Sequence, residues 1–169
     1  MRVAKRSLIA AIAAITLVPV CSTLASASSG ARSSLASKAP ATSAVRVLGG
    51  WGFSTPTGIA ISGTNVFAAS SVGDSVTKFD ATTGALVRVL SDPTYGFNQP
   101  QAIAVSGTNV FVTNQGGDSV TEFDATTGAL VRVLSDPSYG FNYPQAIAFS
   151  GTNVFVANYR AFSVTQFQS

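Results

Sequence analysis

Histidine is absent from this 169-residue sequence, and cysteine and glutamate each occur once, as Cys21 and Glu122. A chain without histidine has no histidine metal ligand and no Ser-His or Cys-His pair that could activate a nucleophile. Asp80 and Asp124 lie in Asp-x-Thr-Thr-Gly segments that each offer one carboxylate, whereas calcium usually needs several converging oxygen ligands. We therefore expect these aspartates to cap turns, and we expect no metal site, no cofactor and no catalytic residues.

The sequence also lacks a hydrophobic run long enough to span a membrane. The apolar run at residues 8–20 has 13 residues, fewer than the roughly 20 that a spanning helix needs. It follows a basic start and precedes the small-residue sequence Ala-Ser-Ala at 25–27, which is the order of a secretory signal peptide. We predict that residues 1–27 are a signal peptide and that the protein is secreted, to the extracellular space or the cell envelope. Lipidation of Cys21 is the alternative, although Val20 stands where lipid-attachment sites carry a small residue.

The apparent excess of positive charge belongs to that predicted signal. The chain has 10 basic and 7 acidic residues, and three of the basic ones, Arg2, Lys5 and Arg6, lie in the signal. The remaining 7 basic and 7 acidic residues cancel, so no basic surface for nucleic acid is expected. Residues 28–44 are rich in Ser and Ala and are predicted to be a disordered linker.

The most informative feature that is present is a repeat of 44 residues. The copies at 56–99 and 100–143 agree at 33 of 44 positions, and a shorter third copy occupies 144–169. Each full copy contains four short β-rich runs separated by Gly- and Asn-containing turns, at 58–62, 65–70, 75–79 and 85–91 in the first. This pattern predicts a four-stranded antiparallel meander, ordered from an inner to an outer strand, which is typical of a β-propeller blade.

The repeat resembles a known class of blade. The sequences NVFVTN at 109–114, SVT at 119–121 and DATTG at 124–128 resemble the YVTN and NHL types of β-propeller repeat. The resemblance implies a ring of about six or seven blades around a central channel, with ligands bound by the loops between second and third strands and between blades. The propeller enzymes that resemble this repeat, such as the streptogramin lyases and lactonases, use histidine or Glu/Asn/Asp metal clusters that are missing here.

The number of blades is too small for such a ring. Residues 45–48 match 87–90 and would supply the fourth strand of the last blade, so that residues 45–169 form three four-stranded antiparallel blades of an all-β, propeller-like fold. Closed propellers have about four to eight blades, so a single chain would be an incomplete ring. Two explanations stand: two copies form a homodimeric six-bladed ring, or the chain is a gene fragment.

Two groups of residues are candidates for binding a ligand. Trp51, Tyr95 and Tyr139 recur at one position of the inter-blade connections, where they either stack on a ligand or pack between blades. The end of the second strand and the loop after it vary most, with 5 of the 11 differences between the first two copies and 5 of the 9 between the last two. The candidates in this variable stretch are Asn114, Gln115, Tyr159 and Arg160.

These observations favour an exported, non-catalytic binding or scaffolding module whose partner is a protein or a carbohydrate. A reduced propeller enzyme of the lyase or lactonase type, or a truncated fragment without its own activity, is the alternative.

Overall fold

The computed structural model describes Val45–Ser169, and the description below is confined to these residues. The predicted signal peptide and the predicted linker lie outside the described residues. The described chain is all-β, with eleven strands in three antiparallel sheets that we call blades 1, 2 and 3. Blade 1 contains β1 (Pro56–Ser62), β2 (Asn65–Ser70), β3 (Ser75–Asp80) and β4 (Leu86–Leu90); blade 2 contains β5 (Pro100–Ser106), β6 (Asn109–Asn114), β7 (Ser119–Asp124) and β8 (Leu130–Leu134); blade 3 contains β9 (Pro144–Ser150), β10 (Asn153–Asn158) and β11 (Ser163–Gln168).

The turns inside each blade follow from their residues. The first hairpin closes between Ser62 and Asn65, with Gly63 at a φ of 58° that favours glycine. The third turn is closed by Asp80, whose carboxylate accepts hydrogen bonds from the Thr82 and Thr83 N–H groups at 3.0 and 2.7 Å. Asp124 repeats the arrangement in blade 2. These bonds confirm that the two aspartates cap turns.

Neighbouring blades are joined by an apolar layer that we call a seam. In the seam between blades 1 and 2, Phe67 and Val76 of blade 1 pack against Val110 and Phe123 of blade 2, and all four are fully buried. The seam between blades 2 and 3 repeats this packing, with Phe111 of blade 2 against residues of β9, β10 and β11. Large apolar side chains shared by two sheets therefore form the core of the described chain.

The inner strands approach each other closely. The hydroxyl of Thr57 in β1 donates a 2.8 Å hydrogen bond to the carbonyl of Pro100 in β5. A Cβ atom at Gly58 would lie 2.8 Å from the carbonyl oxygen of Gln101. Glycine is therefore required at position 58 for β1 and β5 to lie side by side.

The propeller-type fold class is confirmed, as an open series of blades, but the last blade differs from the expectation. Among the described residues, β11 pairs only with β10, so blade 3 has three strands. Residues 45–48 form no strand, and Leu48 packs instead on Val66, Ala68 and Phe79 of blade 1. In this open series of blades the segment lies on blade 1 and makes no pair with β11.

The turn aspartates predict an acid-dependent loss of stability. The backbone hydrogen bond from Thr83, followed by its hydroxyl, lowers the pKa of Asp80, and Thr127 does the same for the pKa of Asp124. A carboxyl whose pKa is lower in the folded state stabilises the fold above its unfolded pKa, about 3.9, and this contribution is lost as the pH falls through the folded value. The urea midpoint of the parent should therefore fall below about pH 4. The double variant Asp80→Asn, Asp124→Asn should show a smaller fall, and equal losses in both proteins would contradict this role.

Candidate functional site

One rim of the blades combines the two segments in which ligand contacts were expected. The loops after the second strands, at 71–74, 115–118 and 159–162, lie against the ends of the inter-blade connections. The N–H of Gln115 donates to the carbonyl of Gln99 at 3.0 Å, and the N–H of Tyr159 donates to the carbonyl of Tyr143 at 3.1 Å. Backbone atoms therefore fix the loops, and the loop side chains are free to vary.

Side-chain hydrogen bonds also link the rim loop of one blade to the connection beside the next blade. The Asp118 carboxylate accepts a 2.7 Å hydrogen bond from the N–H of Tyr143, and Asp74 accepts an equal bond from Gln99. Both donors have positive φ values, 57° and 51°, which aim their N–H groups at the neighbouring loop. The three loops thus form one connected surface.

A cluster of three side chains on this surface is the best candidate for a binding site, and we call it the rim patch: Tyr143, Tyr159 and Arg160. The Arg160 guanidinium lies 3.8 Å from the centre of the Tyr143 ring, within the range of a cation–π contact. The rings of Tyr143 and Tyr159 are 6.4 Å apart, and Tyr159 is 62% exposed. The rim patch offers aromatic surface, two phenolic hydroxyls and a cation to one ligand.

Two of the residues predicted from the variable stretch do lie in the rim patch, and the others do not. Tyr159 and Arg160 are exposed in the loop of blade 3. Gln115 is half-buried at the equivalent position of blade 2. Asn114 is fully buried, so it offers no ligand surface.

The burial of Asn114 has a structural reason. Its amide donates to the hydroxyls of Ser119 and Thr121 at 3.1 and 2.9 Å, and Thr121 in turn donates to the carbonyl of Tyr95 at 2.7 Å. Asn158 makes the same bond to Thr165 in blade 3, at 2.9 Å. This asparagine ties two strands of its blade to the connection that precedes it.

The recurring aromatic position belongs to the seams. Tyr95 is buried, its hydroxyl donates to the carbonyl of Gly128, and its ring stacks on Phe97 with centres 5.2 Å apart. Tyr139 is half-buried and stacks on Phe141 at the same distance. Trp51, also half-buried, lies 5.8 Å from the ring of Phe79. The structure thus places Tyr95 and Tyr139 in the two seams and Trp51 on the free face of blade 1, and it does not gather the three into one ligand surface.

Sequence reasoning missed Tyr143. It lies at the end of a connection and ahead of a proline, outside the stretch that varies most. The available signal was that position 143 is one of the 11 differences between the first two copies, where Tyr replaces Gln99. Only the fold shows that the end of the connection and the variable loop are neighbours.

The remaining chemistry of the described residues is structural. Lys78 is buried, and its ammonium donates to the carbonyls of Ala125 and Thr126 at 2.8 and 2.9 Å, which joins blade 1 to blade 2. Burial lowers the pKa of Lys78, and the charge of Arg88 adds to the effect. Within Val45–Ser169 no group of three His, Cys, Asp or Glu side chains is placed to hold a metal ion, and no helix there is long and apolar enough to cross a membrane.

Comparison with known proteins supports the fold. No family model and no curated protein matches the sequence. Among solved structures, the chain is similar to hydrazine synthase of Kuenenia stuttgartiensis, with a TM-score of 0.60 and 24% identity over 69% of this chain and 33% of that one. It is also similar to catalytically inactive virginiamycin B lyase from Staphylococcus aureus, crystallised with quinupristin, with a TM-score of 0.57 and 18% identity over 69% of this chain and 38% of the lyase.

These neighbours are propeller-type proteins, so they support a propeller repeat fold and nothing finer. The chain spans about a third of their length.

The asparagine network generates a paired stability prediction. Blade 1 has Ser70 where blades 2 and 3 have asparagine, and the Ser70 hydroxyl is buried without a hydrogen-bond partner. Ser70→Asn should stabilise the protein by about 1 kcal/mol, because Ser75 and Thr77 stand where the partners of Asn114 stand in blade 2. The reverse change, Asn114→Ser, should cost about 1 kcal/mol. Urea unfolding measures both effects, and a destabilised Ser70→Asn protein would contradict the network.

Proposed function

We propose that this chain is an exported, non-catalytic β-propeller-type module that binds a partner through its rim patch. The observation that supports this most is the Arg160 guanidinium held 3.8 Å from the Tyr143 ring, beside the exposed ring of Tyr159. Exposed aromatic surface next to a fixed cation is unusual for a loop that needs only to close a turn. Blade 2 closes the equivalent turn with Gln115, Gly116 and Gly117.

The chemistry of the rim patch favours a carbohydrate or a protein partner. Tyrosine and arginine are enriched at the centres of protein interfaces, because each combines apolar area with hydrogen-bond donors. The same ring faces and donors suit a sugar, which offers C–H surface on one side and hydroxyls at its edge. Nucleic acid is disfavoured, because the acidic and basic residues after position 27 are equal in number.

The absence of catalysis is part of the proposal, and the amino-acid composition supports it. The lyase neighbour is described as inactive when one histidine is replaced by alanine, and the present sequence contains no histidine. Its single glutamate, Glu122, is buried and engaged by Arg132 at 2.6 Å and by the amide of Asn109 at 2.6 Å. That carboxylate is therefore occupied within blade 2. A reduced enzyme of the lyase type is the alternative, and a lyase or lactonase assay on the purified protein would reveal it.

The module is proposed to act within a larger ring. The three blades of Val45–Ser169 leave a ring open, and a second copy is the simplest supplier of further blades.

Binding can be tested with a variant that borrows an existing loop. Tyr159→Gln combined with Arg160→Gly gives blade 3 the residues that blade 2 already uses at 115 and 116, so the fold should be retained. We expect the parent to bind at least one member of an array of defined glycans and extracellular proteins, and the variant to bind it at least about tenfold more weakly, since hot-spot residues contribute about 2 kcal/mol or more.

Gln115→Ala, on the blade 2 loop, is the matched control and should bind like the parent. Equal binding by the parent and the double variant would exclude the rim patch. An array without any binder would argue against a binding function.

Export makes a separate prediction. A basic start, a 13-residue apolar run and Ala-Ser-Ala at 25–27 should direct cleavage after residue 27. Intact-mass measurement of protein recovered from outside the cytoplasm should give a chain that begins at residue 28. A mass that retains Met1, or one that carries a lipid on Cys21, would contradict cleavage at that point.

A further inference from the structure

The two ends of the described blades each carry half of a seam. We call the free face of blade 1 the leading face and the free face of blade 3 the trailing face. On the leading face, Leu48, Trp51 and Phe53 pack on Val66, Ala68 and Phe79. The complete seam between blades 1 and 2 contains the equivalent set: Leu90, Tyr95 and Phe97 with Val110, Val112 and Phe123.

The leading face lacks the other half of that seam. In the complete seam, the second half comes from the inner three strands of the preceding blade and consists of Ala60, Phe67, Ala69 and Val76. Without such a half, Ile59 on the leading face is 67% exposed, whereas its equivalent Ile103 inside the first seam is 8% exposed. An apolar groove lined by Phe53, Ile59 and Ala68 is left open there.

The trailing face carries the missing half. Ala148, Phe155, Ala157 and Val164 occupy the positions of Ala60, Phe67, Ala69 and Val76, and they line an apolar groove on blade 3. Val164 is 65% exposed, whereas Val76 and Val120 are fully buried. The two faces together contain every apolar position of a third seam.

The segment 45–48 marks where the third seam would form. It lies on blade 1 in the same way as β4 lies on blade 2, as the equivalent turn glycines of the two blades show. A methyl group added to Gly84 would meet Arg46 and Leu48 at 3.0 Å. A methyl group added to Gly128 would meet Arg88 and Leu90 at 3.1 and 3.2 Å. Residues 45–48 therefore lie where the outer strand of a blade preceding blade 1 would lie. The described chain contains no such blade. The strand that lacks an outer partner is β11.

The charges of blade 3 also suit a covered face. The third copy has Phe162, Gln166 and Gln168 where the second copy has Asp118, Glu122 and Asp124. Charged side chains normally protect an exposed edge strand. The edge strand β11 has glutamine at 166 and 168, where β7 has a glutamate and an aspartate. Phe162 is 95% exposed in the single chain, which is unusual for a large apolar side chain.

We propose that the trailing face of one chain docks on the leading face of a second copy, and that residues 45–48 of the second copy form the fourth strand of the first copy's last blade. The pairings Val76–Leu90, Thr77–Val89 and Lys78–Arg88 set the register. Val164, Thr165 and Gln166 of one copy then face Leu48, Val47 and Arg46 of the other. Two such junctions give a closed ring of six blades, which lies within the size range of propellers. None of the paired junction residues belongs to the rim patch.

Cross-linking tests the register and the partner together. Leu48→Cys with Val164→Cys, in a full chain that also carries Cys21→Ser, should form a disulfide between chains and run as a covalent dimer on a non-reducing gel. Val47→Cys with Val164→Cys is the control and should remain mostly unlinked, because neighbouring residues of a strand point to opposite faces. A disulfide within one chain, or equal linking by both pairs, would overturn the proposal.

Solution mass tests the closure. Light scattering on the parent chain should give twice the mass of one chain. This mass should stay the same at every loading concentration above the dissociation constant of the dimer. Val164→Glu should shift the mass to that of one chain or cause precipitation, because it places a charge in the junction. Val131→Glu, on the exposed outer strand β8, should leave the dimer unchanged. A monomeric parent would overturn the proposal, and so would a ladder of larger species, which indicates head-to-tail contacts that do not close.

Discussion

The apolar seam between blades is the interaction on which the rest of this structure depends. The middle strands of a blade carry apolar side chains on both faces, so neither face is suited to contact with water. At the first seam, for example, the rings of Phe67 and Phe123 are fully buried with their centres 5.9 Å apart. Each blade therefore needs a neighbour on both sides, and only blade 2 has two within the described chain. Every large exposed apolar side chain on the two end faces, Ile59 and Val164 included, is a consequence of that requirement.

Polar groups at the seams are satisfied by backbone atoms of the adjoining blade or connection. The ammonium of Lys78 bonds to two carbonyls of blade 2, and the hydroxyl of Thr121 bonds to the carbonyl of Tyr95. Such bonds fix how one blade is positioned on the next, because a shift of one residue would leave a buried donor without an acceptor. The rim uses backbone bonds as well, as between Gln115 and Gln99, and among its loop side chains Asp74 and Asp118 bond across to the neighbouring connection. The same fold can therefore hold its blades rigidly and still vary the surface that a partner would contact.

The strands could be predicted from the sequence because their signal is local. Runs predicted at 58–62, 65–70, 75–79 and 85–91 correspond to β1 to β4, with differences of one or two residues at the ends. The roles of single side chains could not be predicted in the same way, because they depend on which segments meet. Asn114 is polar and lies next to a variable loop, yet a network with Ser119 and Thr121 buries it. Tyr143 lies in a connection, yet the fold brings it under Arg160. The pairing of 45–48 was expected from sequence phase alone; in the described chain the segment packs on blade 1 and β11 keeps a single partner, because the two ends of an open series of blades do not meet.

Repetition has an energetic consequence that a single-copy domain does not share. With nearly identical copies, a junction between chains would have almost the same chemistry as a seam within a chain, because both use the Phe-rich second and third strands and the aromatic-Gly-Phe connection. Folding and assembly are then stabilised by one kind of contact. A chain with two internal seams and a third supplied by its partner has a stability that depends on protein concentration, since binding to the folded state alone shifts the folding equilibrium by mass action. Substitutions in an internal seam disturb the fold, and those on the two end faces would disturb the assembly, whereas the positions that differ most between copies lie at the rim.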